Sequence, residues 1–310
     1  MTSQTGSRAP STVAAFTVLV TTRDRQDSVE RLLHHVSDEL AAFEHQWEIV
    51  VYDDGSRVPL SFPEDPSRRV PHVHRGSENV GLIAGRNRLI DMAPDDARYL
   101  VFLDDDVFVY NLSGALTAAK ADIDDGYGIV SIPFLDLPLH KKSRVSSNRL
   151  LLDLDPQSND VVFFYGGCCV VSPTVFQRVG KLEEGYYRGH EEEDLALRLF
   201  SLGIKLKVLY GCNTIGIHDR GSAGRSDAYY VVSLSNRLAF HHKFVRSRIL
   251  RGALDLIYMG LYLAKMRSLS PMRDALTRYR EVRETVSIQR LNTGVVLAFL
   301  AKRYLNLSTP

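Results

Sequence analysis

The sequence predicts an α/β fold: a mainly parallel sheet sandwiched by helices, with a C-terminal helical extension. Three observations carry this. Short apolar runs alternate with helix-spaced segments through the first half of the chain. Two of the first three apolar runs stop abruptly in aspartates, at Asp53-Asp54 and at Asp104-Asp105-Asp106. From about Tyr229 onward the pattern is helical to the end.

Each element follows from local pattern. Phe16 to Val20 reads as a buried strand. Asp27 is placed to cap a helix whose apolar residues Val29, Leu32, Leu33, Val36 and Leu40 recur at helical spacing. Glu48 to Tyr52 is a second strand, ended by the turn Asp53-Asp54-Gly55-Ser56. Val80 to Met92 has helical spacing, and Tyr99 to Leu103 is an apolar third strand. Strands alternating with helices imply a parallel sheet covered on both faces. Ligands of such sheets bind beyond the carboxyl ends of the strands, where both aspartate clusters fall. Further on, Asp160 to Tyr165 reads as a strand leading into Gly166-Gly167. His190 to Leu202 is a helix with an acidic first turn and an apolar stripe at Leu195, Leu199 and Leu202. Lys205 to Tyr210 is another strand. The expected division is a flexible arm over 1–14, a catalytic-type α/β domain over 15–236 and a basic helical region over 237–310.

Composition narrows the class. The 310 residues are 45% hydrophobic and 24% charged, as in a soluble globular protein. A net charge of +1 gives no sign of a nucleic-acid partner. The charge is uneven, however: residues 237–310 hold 14 Lys+Arg against 4 Asp+Glu. That tail suits an anionic neighbour such as a membrane face or a phosphorylated acceptor, or equally a set of solvated arginines on packed helices. Cys168, Cys169 and Cys212 lack zinc-like spacing and read as reduced, buried thiols of a cytosolic protein. The N-terminus lacks the basic start and apolar run of a secretory signal. The expected location is the cytoplasm, with peripheral contact on the inner membrane face as an extension. Gly252 to Ala264 is strongly apolar but short of the ~20 residues that span a bilayer. A core helix is the preferred reading, and an interfacial helix with basic flanks is the other.

Three groups of residues bear on chemistry. Carboxylates at a strand end, as in Asp104-Asp105-Asp106, can hold a hard divalent cation together with substrate phosphates, or form a solvated acidic turn. Glu191-Glu192-Glu193-Asp194 opens a helix, where acids favour the dipole. Their mutual repulsion should raise at least one pKa, poising a carboxylate to take a proton. His218 follows a predicted strand; a metal role for it requires the aspartate triplet nearby. The Gly-rich dinucleotide and phosphate loops and the nucleophile elbow are absent.

These motifs line up in one order with those of a known family. "FTVLVTTRDR" (16–25), "EIVVYDDGS" (48–56), "NVGLIAGRNRLI" (79–90), "YLVFLDDDV" (99–107), "GHEEEDLALRLFSLGIKL" (189–206) and "IHDRGS" (217–222) resemble segments of the inverting glycosyltransferase family 2. The likeness spans roughly residues 14–236. It implies the GT-A fold, a Rossmann-like sheet, and a nucleotide-sugar donor, most commonly a UDP-sugar. It implies Mn2+ or Mg2+, and an acceptor hydroxyl on a sugar, a lipid-linked carrier or a small molecule. By the same resemblance Thr21 and Arg23 would flank the nucleotide, and Asp54 would bind the base. Arg86 and Asn87 would lie near base or diphosphate. Asp104 and Asp105 would approach ribose and sugar, while Asp106 with His218, and Asp104 beside them, would hold the metal. The family's base is usually the Asp of a Glu-Asp pair; here that position is Glu192, with Glu191 the alternative. Other readings are a nucleotidyltransferase, for which the loop after the first strand lacks the Gly-rich Arg/Lys pattern, and a non-catalytic binding relative. A further variant acts on a polyprenyl phosphate at a membrane.

Overall fold

The computed structural model describes residues 15–62, 69–137, 160–209, 213–219, 226–266 and 269–305. The expected arm over 1–14, Tyr210, Cys212 and the end of the late histidine motif lie outside them.

The three expected strands form the centre of the sheet. β1 (Ala15–Thr22) pairs in parallel with β2 (Gln46–Asp53) on one side and with β4 (Tyr99–Leu103) on the other. β3 (His72–Arg75) extends the β2 edge, also in parallel. β5 (Val107–Tyr110) leaves the sheet just beyond the aspartate triplet. Beyond β4 come β9 (Cys168–Val171), β6 (Ile129–Ser131), β10 (Leu206–Val208) and β8 (Asp160–Val161), completing the order β3-β2-β1-β4-β9-β6-β10-β8. β9 runs antiparallel to both its neighbours and β8 to β10, while β6 and β10 are parallel. A smaller sheet of β5, β11 (Ile215–Asp219) and β7 (Phe134–Leu137) stands over the carboxyl edge. Its register pairs His218 with Val107, which brings the late histidine beside the triplet.

Strand alternation splits the core in two. Phe16, Val18 and Val20 of β1 and Val101 of β4 face one side, with Val29, Leu32 and Val36 of α1 (Gln26–Glu39) and Leu116 of α3 (Leu112–Asp124). Leu19, Leu100 and Phe102 face the other, with Ile83 and Leu89 of α2 (Leu82–Met92) and Leu195 and Leu199 of α5 (Glu191–Ser201). A short α4 (Thr174–Val179) follows β9. Because the sheet is buried on both faces, its strands are nearly all apolar rather than alternating, as the sequence shows.

Local expectations shift in five places. α1 begins at Gln26 with no side-chain cap, so Asp27 sits inside the first turn and acts there through the helix dipole. The expected strand Asp160 to Tyr165 keeps only its first two residues as β8. Leu202 is half-exposed beyond α5 and does not extend its apolar stripe. α6 (Asp227–Phe244) runs through 236 and 237, so the expected boundary there falls within one helix. The apolar stretch from Gly252 lies in α7 (Arg248–Met266), of which only Met266 is buried, so the core reading of it fails. α8 (Ser270–Thr285) and α9 (Thr293–Leu305) complete the helical region. Among the described residues no helix is long and apolar enough to cross a membrane.

Candidate active site

Strand ends deliver the site. β1 and β2 run in register, so Thr21 and Thr22 stand beside Tyr52 and Asp53. The turn after β2 needs Gly55, whose φ of +67° and closeness to the Glu78 backbone leave no room for a Cβ. The triplet follows β4 directly, and its three carboxylates diverge. Asp104 accepts from Arg86 Nη2 at 2.7 Å. Asp105 is buried and accepts from Thr22 Oγ1 and Arg25 Nη1, each at 2.5 Å. Burial lifts its pKa to about 6 against the pull of those two donors. Asp106 accepts from Arg25 Nη2 at 2.9 Å, and its Oδ1 lies 3.2 Å from His218 Nε2. Burial opposes ionisation of Asp106, but His218 and Arg25 outweigh it and lower its pKa.

The first turn of α5 faces this edge. His190, held at φ +73°, turns the chain into the helix. Glu191 is buried and accepts from Arg86 Nη1 at 3.2 Å, while its other oxygen has no partner. Arg86 thus bridges Asp104 of the triplet to Glu191 of the helix. Glu192 accepts from the Gly166 backbone N–H at 2.8 Å and is partly exposed. Gly167 lies against the Asp104 carboxylate, where a Cβ would collide with it. Desolvation, then the charge of Glu191, push Glu192 up to about 8. Desolvation also raises Glu191, with Arg86 opposing it. The repulsion expected from the acidic run is present, but burial is the larger cause.

Two side chains fit a divalent ion. Ligands on adjacent corners of an octahedral shell with bonds of about 2.1 Å lie about 3 Å apart. Asp106 Oδ1 and His218 Nε2 are hydrogen-bonded at 3.2 Å, a separation that would also suit two such ligands. Among the described residues no group of three or more His, Cys, Asp and Glu is arranged around one metal position. Asp104 is turned to Arg86 and does not join the pair, contrary to its expected place in the metal set. The pair would need substrate oxygens to fill a shell, the usual state of Mg2+ beside phosphates.

Other expected residues divide. Thr21 keeps a buried hydroxyl with no partner at the mouth of β1. Arg23 is 44% exposed and stands 4.0 Å from Asp24. Asp54, expected at the base, is buried and accepts from the backbone N–H groups of Val80 and Gly81 at 2.8 and 2.9 Å. It fixes the entry to α2. Its neighbour Asp53 instead holds a buried oxygen, Oδ2, without a hydrogen bond but 3.6 Å from Arg75 Nε, while Oδ1 accepts from Ser56 N in the turn. Asn87, expected near the nucleotide, spends its amide on Leu182 and Glu184 and ties α2 to that segment. Sequence reading passed over Asp53 and Arg25. The doubled aspartate and the Arg after β1 were visible, but not which way each side chain turns. Cys168 and Cys169, the first two residues of β9, are buried free thiols, as expected, and burial raises both.

Comparisons with known proteins agree with this layout. The mannosyltransferase PcManGT from Pyrobaculum calidifontis, solved with GDP-Man and Mn2+, is 15% identical with a TM-score of 0.53; the likeness covers 95% of this chain and 81% of that one. S. aureus TarS with UDP-GlcNAc is 15% identical, TM-score 0.52, over 88% and 81% of the two chains. GalNAc-T7 with UDP, GalNAc and Mn2+ is 15% identical, TM-score 0.54, over 95% of this chain and 58% of that one. At such identities the likeness establishes the GT-A fold. No curated protein sequence matches the chain. The profile of glycosyl transferase family 2 matches residues 17–180, just over half the chain, and takes in the β1 edge, the Asp53 turn, Arg86 and the aspartate triplet; the chain therefore belongs to glycosyl transferase family 2.

Proposed function

We propose that the chain transfers a sugar from a nucleoside-diphosphate donor, a UDP-sugar, to an acceptor hydroxyl with inversion, and that Glu192 is the base. The observation that carries this reading is Glu192 itself. It is a partly exposed carboxylate with a raised pKa, hydrogen-bonded to the Gly166 N–H at the cleft edge. A base with a pKa near the working pH transfers protons most effectively. Glu191, buried and committed to Arg86, serves that arginine rather than an acceptor.

The residues divide the work. Thr21 Oγ1 and Asp53 Oδ2 are buried polar atoms without a hydrogen bond, the second 3.6 Å from Arg75, and both would serve the nucleobase. Arg86, between Asp104 and Glu191, sets a fixed positive charge beside the sugar position. Asp106 and His218 would hold a divalent ion, and the imidazole would favour Mn2+ over Mg2+. Such an ion would supply charge stabilisation at the diphosphate. Glu192 removes the proton of the acceptor hydroxyl as its oxygen bonds to C1. The C1–O bond to the diphosphate breaks from the opposite face, and its electron pair leaves on the nucleoside diphosphate. The acceptor is a sugar, a lipid-linked carrier or a small molecule.

The test is release of nucleoside diphosphate from a panel of nucleotide sugars with Mn2+ or Mg2+. Turnover of one donor, abolished by EDTA and by Asp106→Asn, is expected. No turnover on any donor, with no thermal shift from UDP plus Mn2+, would refute the reading.

A further inference from the structure

Helix α7 is built inside out. Every exposed position from 249 to 264 is apolar or glycine, and Ile249, Leu256 and Ile257 are 88, 70 and 57% exposed. Between Arg248 and Lys265, its polar side chains Arg251, Asp255, Tyr258 and Tyr262 turn toward the protein. Asp255 meets His241 Nδ1 at 2.7 Å, and Tyr262 meets Ser233 at 2.6 Å. Arg251 lies 3.3 Å from His242, and the Tyr258 ring packs on Arg237 at 4.8 Å. The inner face is satisfied by the rest of the chain, so the outer face is left for something else. Apolar patches of this continuity mark interaction sites.

Charge says what covers it. Exposed Arg246 and Arg248 stand at one end of the face and exposed Lys265 at the other. The one acid of α7, Asp255, is turned inward onto His241. The tail from 237 onward carries ten more basic than acidic residues. Two copies joined through this face would set basic ends against basic ends, with no exposed acid on α7 to answer them. A surface that is apolar below and anionic at its headgroups answers both features at once. We propose that α7 docks flat on an anionic lipid surface, with Ile249, Ala253, Leu256, Ile257, Leu261 and Leu263 in the acyl boundary and Arg246, Arg248 and Lys265 among the headgroups. This is independent of the transfer chemistry proposed above. It places the helix across the surface, not through it.

The test is flotation of the full chain with vesicles of phosphatidylcholine alone or with added phosphatidylglycerol. Flotation with the anionic vesicles is expected, weaker by about tenfold or more on phosphatidylcholine. The variant Ile249→Glu/Leu256→Glu should stay in the soluble fraction while melting at the wild-type temperature, since both side chains already face solvent. Absence of flotation, or flotation unchanged in the double variant, would overturn the proposal. So would a dimer in light scattering that the same two substitutions dissolve, because that assigns the face to a second copy.

Discussion

Glu192 and Glu193 are consecutive residues on one helical turn, and both lie among buried groups. Glu192 faces the cleft, where its partner is one backbone N–H and its neighbour is another carboxylate. Glu193 faces the C-terminal helices. There Arg237 of α6 grips both its oxygens at 2.6 Å, and the Tyr304 hydroxyl adds a third contact at 2.8 Å. Burial pushes both carboxyls up. In Glu193 the guanidinium outweighs burial and brings the pKa down to about 2; in Glu192 nothing does, and it rises to about 8. Asp194, one step on, is likewise held by Lys243 and Arg198. An acidic run is therefore two devices: one end is left uncompensated for chemistry, and the other is bolted to the helical region that follows.

The sharpest separation of the two is by substitution. Glu192→Gln should lower transfer by roughly 10²–10⁴-fold, the usual worth of a general base. It should leave the melting temperature at pH 8 unchanged or raised, because it removes a carboxylate that burial disfavours. A variant that keeps full turnover would move the base to another residue. Arg237→Met should do the reverse. It strands Glu193 as a buried charge, and breaking such a pair costs about 3–5 kcal/mol. Chemical denaturation should report that loss. Activity of the protein that remains folded should fall much less than in Glu192→Gln. Equal losses of activity would mean that the bolted end also takes part in chemistry.

A second adjacent pair sharpens the same lesson at smaller scale. Asp53 presents a buried oxygen with no hydrogen bond, only the Arg75 guanidinium 3.6 Å away, whereas both oxygens of Asp54 hold the backbone entering α2. Asp53→Asn should weaken UDP binding by about 10–100-fold, the worth of one hydrogen bond to a charged group. Asp54→Asn should show mainly as lost stability. Calorimetry of UDP binding with parallel melts separates them, and the opposite ranking would restore Asp54 to the base.

These pairs also mark how far the sequence could be read. The central strands, the acidic carboxyl edge and the helix opening at Glu191 were legible because they rest on local apolar period and on residue type. The placement of His218 beside Asp106 was legible only as a condition, since it depends on β11 pairing with β5 across more than a hundred residues. Which of Asp53 and Asp54 is taken up by the backbone entering α2 depends on the Gly55 turn and on residues 80–81. The apolar character of Gly252 to Ala264 was plain in the sequence, but not which way the helix would turn it. That was set by remote partners, His241 and Ser233, which drew the polar side inward.

The dependence on pH tests the electrostatic contrast directly. Glu192 has a folded pKa of about 8, raised above its ordinary value near 4.5. Between those values the folded chain holds a proton that the unfolded chain has released, so this group's contribution to stability falls as pH rises through that window. The same rise creates the ionised base. Activity should therefore climb up to about tenfold per pH unit and level off above about 8, while the melting temperature drifts downward. Glu193 runs the other way. Its folded pKa of about 2 lies below the ordinary 4.5, so its contribution is complete above 4.5 and is lost only as pH falls toward 2. Near neutrality Glu193 adds no pH dependence at all. In Glu192→Gln the downward drift between pH 6 and 9 should flatten while the loss of stability in acid persists. If the drift survived that substitution, its source would be another group, and the contrast between the two ends of the acidic run would fail.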